Sequence, residues 1–159
     1  MKKNASGFSL IELLIVVAII LIIAAIAIPN LLRSRMAANQ ASAVGSLRTL
    51  NTSEVTYATT YPAGYSPDLV SLGPPASGAV PTVTSAGLVD SVLAAGTKSG
   101  YTFTYVTTAV SSRYDTYTLN ASPTTAGTTG TNFYFTDQTG VIRQNSTAAA
   151  AASDSPIGG

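Results

Sequence analysis

Cysteine and histidine are both missing from the 159 residues. Without cysteine the chain has no disulfide to staple it and no thiolate chemistry. Without histidine it lacks the commonest general base and the commonest metal ligand. Charge is scarce as well: 9% of residues are charged and the net charge is +1. No polycation is present to hold nucleic acid through its phosphates. The sequence shows no phosphate-binding loop, no metal-ligand spacing and no nucleophile–base pair. It therefore reads as a non-enzyme with no cofactor and no specific nucleic-acid partner, of a length suited to one ordinary domain.

What the chain does have is concentrated at its start. A short leader, MKKNASG, is followed by FSLIELLIVVAIILIIAAIAIPN. Between Phe8 and Ile28 only Ser9 and Glu12 are polar. A helix of that length covers about 30 Å, the thickness of a bilayer core. Lys2 and Lys3 precede the run, which by the positive-inside rule leaves the N-terminus in the cytoplasm. Beyond residue 50 the composition turns to Thr, Ser, Ala, Gly and Tyr, as in an exported polar domain.

Three readings of the apolar run compete. It is a secretory signal cut near Ala25-Ile26-Ala27, a plain anchor, or a segment cut between Gly7 and Phe8 and kept. Glu12 bears on the choice. A carboxylate deep in an apolar helix costs roughly 2.5–3.5 kcal/mol, and less near the interface. A disposable signal or an inert anchor gains nothing from it. A cation nearby would justify it, and a new α-amino group on Phe8 is the natural candidate. One helix cannot easily fold that amine onto its own fifth residue, whereas an axially offset neighbouring copy can supply it. The pairing implies assembly.

The string Gly7-Phe8-Ser9-Leu10-Ile11-Glu12-Leu13-Leu14 closely resembles the prepilin cleavage and methylation motif of type IV pilins and type II secretion pseudopilins. The resemblance is specific over residues 1–30 and looser to about residue 60. It implies that a membrane peptidase cuts after Gly7 and methylates Phe8, that Glu12 pairs with a neighbour's N-terminus during assembly, and that the helix bends near Pro29. It also implies an inner-membrane single-pass precursor that becomes a subunit of an extracellular helical filament. Its partners would be other copies of itself, the peptidase, an assembly platform and ATPases. Such fibres serve adhesion, twitching motility or DNA uptake. A pseudopilin or minor pilin, and a single-span domain that never polymerises, are the alternatives.

The remaining residues are expected to complete an α+β pilin fold. Leader 1–7 precedes a membrane or assembly half-helix, 8–29, and an amphipathic half, 30–61. Ala43, Val44, Leu47, Leu50, Val55 and Ala58 form its expected apolar stripe, opposite Arg33, Asn39, Ser46, Arg48, Asn51 and Ser53. Arg33 and Arg35 flank the span, where head groups, carboxylates or solvent are the options. Glu54, near the stripe, is expected in a salt bridge or at an exposed edge. A Pro- and Gly-rich loop covers 62–100, with a helical turn at 67–72 and a short helix at 86–93. Alternating aromatic and Thr residues place strands at 101–106, 114–119 and 132–136, and a short one at 141–143. These give three or four antiparallel strands within 101–145, packed on the amphipathic half-helix. The twelve aromatics are read as sheet core and interface rather than a redox path. Residues 146–159 are expected to be a flexible tail or a surface strap. Pilins often close this region with a disulfide, which is impossible here. The calcium loop of many pseudopilins lacks its carboxylates too, because Asp137 and Asp154 stand alone. That favours a pilus subunit.

Overall fold

A computed structural model describes residues 8–158. The leader 1–7, including Gly7, lies outside the described residues. Helix α1, Leu10–Thr60, is followed by a 3-10 turn at Val70–Leu72 and a four-residue helix α2, Ser91–Ala94. Five strands come next: β1 Thr97–Lys98, β2 Tyr101–Val110, β3 Arg113–Pro123, β4 Phe133–Asp137 and β5 Arg143–Asn145. They pair antiparallel in chain order, a simple meander. The class is α+β with a pilin-like layout. The chain divides into two compact units, one ending at Arg35 and the other beginning at Met36. The first half of α1 belongs to one and its second half to the other.

In the first unit α1 has no packing partner of its own. No residue from 8 to 35 is buried, and Leu10, Ile11, Leu21 and Ile26 are all more than 60% exposed. Pro29 does not end the helix, which runs on through Asn30. Proline has no N–H to offer, so the carbonyl of Ala25 goes without its usual helical donor.

In the second unit one stripe of α1 is buried: Ala43, Ser46, Leu47, Leu50, Ser53, Glu54 and Tyr57. The spacing alternates threes and fours, as one helical face demands. Three polar members were not foreseen, and Ser46 and Ser53 were expected on the opposite face. Val55, expected in the stripe, is 57% exposed. The reason is angular. At about 100° per residue, Val55 lies about 140° around from Leu50, whereas Ser46 lies only about 40° away. Hydrophobicity favoured Val55, but geometry excludes it.

The sheet face against this stripe is built by alternation. Tyr101, Phe103, Tyr117, Leu119, Ala121 and Tyr134 point into the core, while Thr102 and Thr104 point out. Leu69, Leu72 and Leu93 from the loop and α2 complete the cluster. Residues 86–89 do not become helical as expected. Their amides donate instead to the 3-10 segment and the glycine after it: Ala86 to the Ser71 carbonyl at 2.8 Å, Gly87 to Gly73 at 2.8 Å and Leu88 to Leu72 at 2.8 Å. Helix α2 begins only after Asp90, whose carboxylate caps the Leu93 amide at 2.9 Å. The C-terminal residues form the strap. The amide of Ile157 donates to Ile142 at 2.9 Å and that of Gln144 to Ser155 at 3.0 Å.

Five strands stand where three or four were expected, because the two-residue β1 is too short to leave a pattern. Strands β2 and β3 also run further than their aromatic alternation, to Val110 and from Arg113, and close over Ser111-Ser112. Both serines have positive φ, 53° and 66°. A two-residue hairpin turn of this type favours Asn-Gly, since Ser pays a steric cost there. Replacing Ser111→Asn and Ser112→Gly together should stabilise the fold by about 1 kcal/mol. Urea unfolding of the full chain in detergent micelles reads this as a higher midpoint at unchanged slope.

Candidate assembly and membrane site

Helix α1 opens on a capping box. The Ser9 side-chain oxygen accepts the Ile11 amide at 3.3 Å, and Glu12 reaches back to accept the Ser9 amide at 2.9 Å. The first helical bond, from the Leu13 amide to the Ser9 carbonyl, is 3.2 Å long. Ser-x-x-Glu is the sequence signature of this motif, in which two otherwise unsatisfied donors are met reciprocally. That signal was available and overlooked. It corrects one premise: Glu12 is not without a partner inside its own chain. The Ser9 amide is neutral, however, so the box supplies Glu12 with a hydrogen bond and no cation. Phe8, the residue just before the box, is 85% exposed.

From Leu13 to Leu32 no charged residue interrupts the helix, and Arg33 and Arg35 follow immediately. The helix is long and apolar enough to cross a membrane. Pro29 lies near the far end of this stretch.

A family model described as the prokaryotic N-terminal methylation motif matches residues 2–28. Residues 2–28 thus carry the N-terminal methylation motif. The "Type IV wide pilus major component PilA4" of Thermus thermophilus is 68% identical over 37 residues, which are 23% of this chain and 28% of that protein. The match thus spans little more than a quarter of the relative's length. No solved structure matches.

In the second unit a groove of about 420 Å³ is open and lined by Arg48, Thr49, Thr52, Ser53, Thr56 and Leu88. The threonine hydroxyls there are spent on the helix itself: Thr49 donates to the Gly45 carbonyl, Thr52 to Arg48 and Thr56 to Thr52, all at 3.0–3.1 Å. Among the described residues no three His, Cys, Asp or Glu gather as metal ligands.

Glu54 was expected in a salt bridge or at an exposed edge, and it is in neither. It is 1% exposed, and it accepts the Ser66 hydroxyl at 2.6 Å and the Ser66 amide at 2.9 Å. The Tyr105 hydroxyl donates to the Ser66 carbonyl at 2.8 Å, so one loop residue joins α1 to β2. Burial raises the Glu54 pKa above its ordinary 4.5, and the Ser66 hydrogen bonds oppose the shift without cancelling it. The same burial, with Glu54 nearby, raises the Tyr105 and Tyr117 hydroxyls. Tyr105 and Tyr117 stack with ring centroids 5.7 Å apart, and Tyr65 meets Tyr117 edge-on at 4.8 Å. These rings are core.

The linkage follows from the raised value. Folded chains hold the Glu54 proton more tightly than unfolded ones, so this group favours folding most below pH 4.5. That advantage is lost as pH rises through the raised folded value. Glu54→Gln should flatten this part of the pH–stability curve. Glu54→Ala, which strands the buried Ser66 amide, should cost about 1–3 kcal/mol near neutral pH. Urea midpoints of the three full-length proteins between pH 4 and pH 8 check both.

Proposed function

We propose that the chain is a structural subunit of a type IV pilus, held in the membrane as a precursor and polymerised after processing. Cleavage between Gly7 and Phe8 removes Lys2 and Lys3 and leaves six basic against seven acidic side chains. The new Phe8 amine, once methylated, stays cationic. In the fibre the Glu12 carboxylate of one copy pairs with the Phe8 amine of the next. That contact is heterologous, so the array grows without closing. The half-helix is bound first by lipid and then by the half-helices of other copies, with Pro29 as the place where the hydrogen-bond ladder is weakest. The Thermus relative, named as a major pilus component, supports this reading over the aligned segment only.

The single observation that carries the proposal is the half-helix itself. The seventeen consecutive apolar residues after Glu12, Leu13 to Pro29, have nothing in their own unit to bury them. Apolar surface of that extent marks a membrane or protein contact. Other copies, the processing peptidase, an assembly platform and its ATPases are the partners this role requires.

Surface fibres from cells expressing the chain should contain it with methyl-Phe8 at the N-terminus. Intact Met1 with no fibres would identify a non-polymerising anchored domain instead. The role of Glu12 needs two variants, because its carboxylate also caps the helix. Glu12→Ala removes both cap and charge, while Glu12→Gln keeps the capping geometry and removes only the charge. Both should be cleaved normally and both should assemble slowly or not at all. Normal fibre yield from Glu12→Gln would reduce the carboxylate to a cap.

A further inference from the structure

The chain's charges are unevenly committed. Each of the seven carboxylates is held internally: Glu12 by Ser9, Glu54 by Ser66, Asp68 by Ser71, Asp90 by Lys98, Asp115 by Arg113, Asp137 by Thr139 and Asp154 by Ala151. Among the described residues only Lys98 and Arg113 form ion pairs. Arg33 and Arg35 are exposed and have no acidic partner among the described residues.

Their position is equally specific. Residues 13–32 carry no charge, and Glu12 and Arg33 bound them. At 1.5 Å per residue those twenty positions cover about 30 Å, the thickness of a hydrocarbon core. With Glu12 at one boundary, Arg33 falls at the level of the opposite head groups, and Arg35 lies one half-turn further out. Ser34 between them donates its hydroxyl to the Asn30 carbonyl at 3.0 Å, so it is committed to the helix. The two guanidinium groups are thus the charged donors at that depth. Each is a planar fork suited to two phosphate oxygens, on a stem long enough to adjust to the interface.

We propose that Arg33 and Arg35 form a phospholipid-phosphate site that fixes the depth of the membrane-held precursor. The proposal rests on the reading of the chain as a membrane-inserted subunit. The site takes the phosphodiester of an anionic lipid, and its selectivity comes from charge and location. When the half-helix leaves the bilayer these two contacts must be given up, so they also act as a brake on extraction. Arg48 belongs to the second unit and is not part of the site.

The test uses the full chain in detergent micelles doped with phosphatidylglycerol, with bound lipid counted by native mass spectrometry. Arg33→Gln/Arg35→Gln should retain phosphatidylglycerol about tenfold more weakly than the unaltered chain. Arg48→Gln should retain it unchanged, and inorganic phosphate at the same concentration should not displace it. Equal retention by the double variant, or an equal loss in Arg48→Gln, overturns the site. Displacement by inorganic phosphate would show a general anion contact instead. Loss of fibres with lipid retention intact would assign the arginines to a neighbouring copy's carboxylate. Alkaline carbonate extraction of membranes separates this from the broader reading. An unaltered chain that washes off the membrane sinks the inserted-subunit role itself. An integrated chain whose double variant keeps its lipid sinks only the site.

Discussion

A helix that exposes seventeen apolar residues in a row, Leu13 to Pro29, leaves a large apolar surface to be covered, and that constraint dominates the first unit. Apolar surface contributes about 25 cal/mol per Å² when removed from water. In the first unit the side chains from Leu10 to Leu32 have no intramolecular cover. The driving force to bury them must be met by lipid or by other helices. Lipid and protein are interchangeable here because the stretch is apolar all round and asks for no particular face. Its two ends are different. One closes on a capping box in which the Glu12 carboxylate accepts the Ser9 amide. The other opens onto two arginines.

The second unit solves the opposite problem of folding a modest core without a disulfide. Its answer is a series of polar contacts along the buried side of α1. Asn39 donates to the Thr129 carbonyl at 2.9 Å, Ser53 to Leu88 at 3.2 Å and Tyr57 to Val83 at 2.6 Å. Asn51 both donates to Thr136 and accepts from Tyr117, each at 3.0 Å. Glu54 and Ser66 belong to the same series. Each bond contributes only about 1 kcal/mol net, but each fixes one helical turn against one loop or strand. A mostly apolar helix face can slide on a sheet, and donors matched to single acceptors prevent that. At the other edge of the sheet the C-terminal strap pairs with β5 and seats Ile157 against the core.

The sequence was most informative where one physical demand dominates. A run of apolar residues of bilayer length admits few readings, and the α+β layout followed from a 3.6-residue period giving way to alternation. The capping box is just as legible, in the Ser-x-x-Glu spacing of Ser9 and Glu12. The sequence was least informative where polar residues are buried. Nothing local distinguishes Ser46 or Glu54 from solvated residues, because their burial depends on acceptors and donors dozens of positions away. The same holds for residues 86–89, whose helical pattern yields to carbonyls in the Val70–Leu72 turn.

By itself the sequence determined the apolar half-helix, its boundary charges, the motif at residues 2–28 and the alternating strands. All of these are set by neighbours in the chain: span length, side-chain period and the local match around Phe8. Only the tertiary structure decided which face of α1's second half is buried, that Glu54 is a hydrogen-bonded carboxylate without a cation, and that the tail closes the sheet. Those outcomes turn on rotation about the helix axis and on partners far along the chain, which a linear pattern does not encode.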